Sequence, residues 1–206
     1  MVVTENMVFE QIPGGNYSYL IGDATVKDAV VVDPGSNVAK IMRTVQKHKL
    51  HVRYIINTHS HRDHTGGNSE LKSKTGAQIA MHESASLPKD LALAEGDVIH
   101  VGELAIRVMH TPGHTHDSVC LLVDTILLSG DTLFVGECGR TDLPGGNAGD
   151  MHHSLKRILE LDDDYQVYPG HNYGPKPSST VGHERKTNYT LKARTLAEFT
   201  EFMSTP

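Results

Sequence analysis

Three imidazoles and one carboxylate fall within the stretch His59-Ser60-His61-Arg62-Asp63-His64, directly after the apolar run Val52 to Ile56. A buried strand that ends in such a loop constrains the fold more than any other feature of this chain. Its polar groups must either face common points or be left solvated. His59 and His61 stand two apart and can point the same way from an extended segment. Asp63 and His64 can turn toward a second point nearby. Such a loop can supply ligands to two metal ions a few ångströms apart. The bland alternative is a solvated polar turn in a histidine-rich chain, which has 14 His against 4 Phe and no Trp.

Three later positions favour the ligand reading. His114 lies in Thr111-Pro112-Gly113-His114-Thr115, Asp131 in Ser129-Gly130-Asp131-Thr132, and His171 in Tyr168-Pro169-Gly170-His171. Each follows an expected strand on a turn of small residues. Alone, any of them reads as a capping or hydrogen-bonding residue; together with the first loop they read as ligands.

The elements around these positions alternate. Met7 to Ile12, Tyr17 to Ile21 and Ala29 to Val32 are expected strands, bounded by Pro13-Gly14-Gly15 and Asp33-Pro34-Gly35. Ser36 is the expected N-cap of a helix whose Val38, Ile41, Met42 and Val45 form one apolar face, running to about Lys49. Helices are also expected over Gly67 to Thr75, Met151 to Leu161, Thr180 to Asn188 and Thr195 to Met203. Further strands are expected over Gln78 to Met81, Val98 to Val101, Leu104 to Met109, Ser118 to Val123, Ile126 to Leu128 and Gln166 to Tyr168. Two halves of this kind suggest two sheets face to face with helices outside. No linker or repeat divides the chain, so residues 1–206 read as one domain, with a short helical segment after about residue 174.

Composition narrows the function classes. The formal net charge of −6 argues against a nucleic-acid binder. The longest apolar runs are too short to span a bilayer. The start, Met1-Val2-Val3-Thr4-Glu5, lacks the pattern of a secretory signal. Two cysteines, Cys120 and Cys138, make no disulfide framework, and a cytoplasmic setting fits. Cys120 reads as a strand core residue, and His116, His152 and His153 as surface groups or supports of the ligands.

The His-x-His-x-Asp-His loop followed by His114, Asp131 and His171 resembles the metallo-β-lactamase superfamily from about Met7 to His171. The resemblance implies an α+β fold, a four-layer αββα sandwich with a metal site at one edge between the sheets. It implies that one metal takes His59, His61 and His114, that the other takes Asp63, His64 and His171, and that Asp131 bridges both. Two divalent ions, zinc first and iron or manganese next, would acidify a bound water from about 15.7 toward 7. Asp63 would orient the resulting hydroxide, so Asp63 and Asp131 are the expected catalytic residues.

Within the superfamily, Gly139-Arg140-Thr141-Asp142 is similar to small glyoxalase II-like thioester hydrolases and to persulfide dioxygenases. Cys138 and His171-Asn172-Tyr173-Gly174 lean toward the dioxygenases. Glyoxalase II enzymes carry a long helical C-terminal domain for glutathione, and the stretch after His171 is too short for one. The sequence reading favours hydrolysis of an S-acyl thiol conjugate such as an acyl-glutathione. Its alternative is a persulfide dioxygenase with a single Fe(II) on His59, His114 and Asp131. A lactonase or esterase, and a non-catalytic metal-binding module, stand behind both. Arg140 is expected to bind a substrate carboxylate, or else to pair with Asp142. Tyr173 is expected to line the thiol pocket, or else to be an ordinary loop tyrosine. The expected partner is a small-molecule thiol conjugate, with no nucleic acid and no membrane; the resemblance also admits a homodimer.

Overall fold

The computed structural model describes residues 6–204. Strands β1 (Met7–Pro13), β2 (Tyr17–Asp23) and β3 (Asp28–Val32) form an antiparallel meander. Helix α1 (Val38–His48) crosses to β4 (His51–Ile56), which pairs parallel with β3. After a short helix α2 (Arg62–Thr65) and α3 (Asn68–Thr75), β5 (Gln78–His82) and β6 (Leu91–Leu93) continue the sheet in parallel. The second sheet holds β7 (Val98–Val101), β8 (Leu104–His110), β9 (Val119–Val123) and β10 (Ile126–Gly130), all antiparallel. Helix α4 (Ala148–Ile158) then leads to β11 (Gln166–Pro169), parallel to β10, and β12 (Ser179–Thr180) closes the edge. Helix α5 (Val181–Thr187), a 3-10 turn at Tyr189–Leu191 and α6 (Leu196–Ser204) follow. Each sheet has six strands, in the orders β1-β2-β3-β4-β5-β6 and β12-β11-β10-β9-β8-β7.

The period of two along each strand assigns its faces. Val30 and Val32 pack between the sheets with Ile56, Ile106, Leu121 and Leu128. Their neighbours Ala29 and Val31 face α1 and α3 through Ile41, Val45 and Leu71. Cys120 and Leu127 face α4, α5 and α6 through Met151, Ile158, Val181 and Phe199. This is the expected αββα sandwich. Cys120 is fully buried, and burial pushes its thiol up to about 11. Among the described residues, no helix is long and apolar enough to cross a membrane.

Several boundaries differ from the sequence reading, each for a local reason. Asn37 rather than Ser36 precedes α1, and its side chain does not cap the helix. It donates instead to Asn16 O and to Ser18 Oγ, tying the helix entry to β2. Helix α4 starts at Ala148 because the Asn147 side chain accepts from Asp150 N at 3.0 Å. Strands β6 and β12 are too short to show a period in sequence.

The two sheets place five strand ends at one edge. There the chain leaves β3 at Asp33, β4 at Asn57, β8 at Thr111, β10 at Asp131 and β11 at Gly170. At β10 the register with β11 shifts between Leu128 and Gly130, an irregularity of the kind that re-aims the residue beyond it, here Asp131.

Candidate metal centre

Seven side chains converge at this edge. His59, His61 and His114 form one group and Asp63, His64 and His171 another, and Asp131 groups with His59 and His64. In each group the donor atoms lie within 4.8 Å of one another. His61 Nδ1 stands 3.1 Å from His59 Nε2 and 3.0 Å from His114 Nε2. His64 Nε2 stands 3.1 Å from His171 Nε2, which is also 3.1 Å from Asp63 Oδ2. Asp131 Oδ1 lies 3.3 Å from His64 Nε2, while its Oδ2 lies 3.6 Å from His114 Nε2 and 3.5 Å from His171 Nε2. Its carboxylate therefore stands between the two groups.

The sequence reading put His59 and His61 on an extended segment and turned Asp63 and His64 away; the structure makes that turn a short helix. His61 has extended backbone and precedes α2, so Asp63 and His64 project from a helical turn. That turn sends them to the second group while His59 and His61 stay with the first.

The outer hydrogen bonds fix which ring nitrogen faces inward. His114 Nδ1 faces Arg140 O at 2.9 Å and His171 Nδ1 faces Gly15 O at 3.1 Å. A carbonyl only accepts, so each Nδ1 carries a proton, and each ring when neutral aims a lone pair inward from Nε2. His64 Nδ1 faces Asp33 Oδ2 at 2.9 Å, which assigns its proton in the same way. Thr58 Oγ1 donates to Asp33 Oδ2 at 2.6 Å and so accepts from His59 Nδ1 at 3.2 Å. Lone pairs that face one another at about 3 Å repel unless a cation or a proton lies between them. In addition, Asp131 Oδ1 is buried with no hydrogen-bond partner among the described residues. This donor set fits a binuclear centre of borderline ions such as zinc or iron.

Asp33 is the residue that the sequence reading missed. It stood there only as part of a turn, yet it follows a strand on a small-residue turn, as Asp131 does. Its buried carboxylate also accepts from Thr58 N at 2.8 Å, so it aligns β4, His59 and His64 together. Asp117 was missed too. It is 1% exposed, and its Oδ1 accepts from Ser60 Oγ at 3.3 Å, linking the His59–His61 stretch to the His114 loop. The other histidines lie outside the cluster. His116 bonds Ser84 O, His152 packs on Phe199 and bonds Arg194 O, and His153 bonds Gly149 O.

Two glycines make room for the centre. A Cβ at Gly113, where φ is +142°, would meet the Met151 backbone N at 2.5 Å, so the His114 loop can lie flush on α4. A Cβ at Gly170 would meet Asp131 Oδ1 at 2.2 Å and His64 Cε1 at 2.8 Å. The expected outcome for Gly170→Ala is a folded chain that has lost at least about 10-fold in metal affinity, because the methyl displaces two inner groups. Ion titration beside a thermal melt checks it; undiminished affinity would contradict it.

Electrostatics separates the two groups. Burial, reinforced by neighbouring imidazoles, pushes His59 and His61 below the ordinary histidine range. Burial also disfavours charge on His64, but Asp33 and Asp131 overcome it and hold the ring well above that range. His171 is raised in the same sense, its burial outweighed by Asp63 and Asp131. The hydrogen bond from His171 holds Asp63 far below the usual carboxylate range. At Asp131 burial opposes ionisation, and the adjacent His64 ring prevails, holding the carboxyl below its usual range. An ion entering the Asp63, His64 and His171 group must therefore displace protons already above pH 6.5, whereas His59 and His61 are free of them there. Lowering the pH from 8 to 6 is expected to release the ion of this group first. Metal analysis after dialysis at each pH checks this; loss of both ions together would contradict it.

The centre opens into a cleft of about 1230 Å³ lined by Phe134, Cys138, Arg140, Tyr173, Tyr189, Phe202 and Met203, among others. Tyr173 stacks on His171 with ring centroids 5.0 Å apart and meets Phe134 edge-on at 4.9 Å. Arg140 lines the cleft, and its Nε and Nη2 each donate to a carboxylate oxygen of Asp142 at 2.6 Å.

The family described as the metallo-beta-lactamase superfamily matches residues 12–171. A crystal structure of ETHE1 from Myxococcus xanthus superposes with a TM-score of 0.92 at 32% identity, covering 97% of this chain and 91% of that one. The persulfide dioxygenase ETHE1 of Homo sapiens is 33% identical over 85% of this chain and 71% of its own length. A hydroxyacylglutathione hydrolase of Pelagibacter ubique is 33% identical over 87% of this chain and 76% of its own length. The chain spans 50% of the length of a beta-lactamase hydrolase-like protein of Xylella fastidiosa, to which it is 32% identical.

Proposed function

We propose, from the premise that the chain belongs to the metallo-beta-lactamase superfamily, that it oxidises a small thiol-bound persulfide with dioxygen. In balanced form, RSSH, O2 and water give RSH, sulfite and two protons. The observation that carries this reading is the likeness to ETHE1 over nearly the whole of both chains. The sequence alone leaned toward thioester hydrolysis; this likeness and the persulfide dioxygenases among the relatives move the preference to the alternative.

His59, His114 and Asp131 would hold the iron, with two imidazoles and one carboxylate on one side of it. On such a face iron(II) supplies open coordination positions and the redox chemistry that dioxygen needs. The chain's own groups do the rest. Thr58 Oγ1 and Arg140 O hold the His59 and His114 rings with Nε2 inward, so neither ring turns during the reaction. Asp131 supplies fixed negative charge that balances the cation in a buried setting. Asp63 stays ionised, is exposed to the cleft, and orients the reacting water by accepting its hydrogen bond. Phe134 and Tyr173 wall one side of the cleft and limit access of bulk water to the sulfur.

A second reading keeps support from one observation: Asp63, His64 and His171 converge as fully as the first group. That complete second set suits a two-ion thioester hydrolase, the activity named for the Pelagibacter relative. Iron-loaded and zinc-loaded preparations separate the readings. Iron-dependent O2 uptake with a persulfide, releasing one sulfite per O2, is expected. Thioester cleavage by the zinc form without O2, together with no iron-dependent uptake on any persulfide, would overturn the proposal.

A further inference from the structure

We infer that the cleft selects its thiol by an apolar tail, seated against Tyr189, Phe202 and Met203, rather than by the charges of a peptide-like tail. The inference rests on the thiol-substrate reading above.

Several polar groups on this wall engage one another. Arg140 gives two of its five N–H donors to the carboxylate oxygens of Asp142. Glu137 accepts from Tyr189 Oη and from Cys138 N. Burial pushes the Cys138 thiol up to about 12, so it is a neutral, soft surface, and its sulfur lies 3.9 Å from Met203 Sδ. The Arg194 guanidinium covers Phe202 at 4.2 Å from the ring centroid while donating to Tyr189 O at 3.0 Å. Its N–H groups hold the Tyr189 turn and its face holds the ring. From α6 and the Tyr189 turn the cleft is lined by two rings, a thioether and Ser204, whose hydroxyl donates to Glu201 O.

A tail with two carboxylates would have to give up hydration against the Tyr189, Phe202 and Met203 surface, and Arg140 offers it only the N–H donors that Asp142 leaves. The side chain of Arg62 has no partner among the described residues, but it lies on α2 beside His61 and Asp63, at the metal end of the cleft. It can meet an anionic group near the sulfur. An alkyl or aryl tail instead gains burial at each methylene. Met203, with three rotatable bonds and a polarisable sulfur, adapts to tails of different shape.

Binding of thiols to the metal-loaded chain tests this without requiring turnover. Calorimetry with ethanethiol, butanethiol, hexanethiol, 2-phenylethanethiol and glutathione gives the affinities. The expected result is a rise of about three- to four-fold per added methylene, with hexanethiol at least about 10-fold tighter than glutathione. Phe202→Ala is expected to weaken hexanethiol several-fold and leave glutathione unchanged, and Phe202→Leu to restore the alkyl preference. Affinity independent of chain length, or glutathione binding as tightly as hexanethiol, would overturn the inference. The chain-length series on the unsubstituted protein decides the matter even where Phe202→Ala fails to fold. If the tail preference holds but no persulfide of the preferred thiols is oxidised, the dioxygenase reading fails and the tail pocket stands.

Discussion

His59→Ala, His114→Ala and Asp131→Ala are each expected to lower persulfide-dependent O2 uptake by at least about 10³-fold. This exceeds the 10- to 100-fold that follows loss of an outer hydrogen-bond partner, because each change removes an inner donor. His171→Ala is expected to cost no more than about 10-fold in the same assay. His171 belongs to the other group, and among the described residues its Nδ1 faces the Gly15 carbonyl rather than a buried carboxylate. His64→Ala is a poorer test, since it would strand the Asp33 carboxylate. Thioester hydrolysis makes the opposite forecast: a two-ion centre loses as much from His171→Ala as from His59→Ala. Oxygen-electrode rates, normalised to iron content, decide between them. Equal losses at His171 and His59 would count against the single-iron reading.

Asp33→Ala is expected to cost about 3–5 kcal/mol of unfolding free energy, the range for breaking a buried charged network. Three donors lose their acceptor: the His64 Nδ1–H, the Thr58 N–H and the Thr58 hydroxyl. The position also has φ +50°, which aspartate tolerates better than alanine does. Asp33→Asn separates geometry from charge. The Thr58 N–H can only donate, so the amide oxygen must take the Oδ1 place and the NH2 must face Thr58 Oγ1 and His64 Nδ1. His64 then accepts at Nδ1 and carries its proton on Nε2, pointing into the centre. Asp33→Asn is therefore expected to lose about 10- to 100-fold in affinity for the ion of the Asp63, His64 and His171 group with a smaller loss of stability than Asp33→Ala. Urea unfolding and metal titration of both variants check the pair of statements. An alanine variant within about 1 kcal/mol of the parent, well under that range, would contradict the first.

Much of the molecule was legible in the sequence because its signals are local. Apolar alternation and turn residues marked most of the strands, and the Val38, Ile41 and Val45 spacing marked α1. Four donors were legible from their crowding in the His59–His64 loop, and His114, Asp131 and His171 because each follows a strand on a small-residue turn, the pattern of a chain leaving a sheet edge. Asp33 shows the same pattern and was still missed, because an aspartate before Pro-Gly also serves as an ordinary turn residue. Strands β6 and β12 carry too few residues to show any period.

By itself the sequence determined which groups are available and roughly where the chain turns, since propensity and periodicity act over a few neighbouring residues. The tertiary structure decided the rest. Two sheets had to pack for the ends of β4, β8, β10 and β11 to meet and turn separate donors into a centre. Only the folded chain brings Gly15 O, Asp33 and Arg140 O behind the rings and so fixes which nitrogen faces inward. It also pairs Arg140 with Asp142 and Glu137 with Tyr189, and brings Tyr189, Phe202 and Met203 to the cleft. These relations join residues far apart in the chain, and the free energy that sets them comes from burial and hydrogen bonds that exist only once the sheets are assembled.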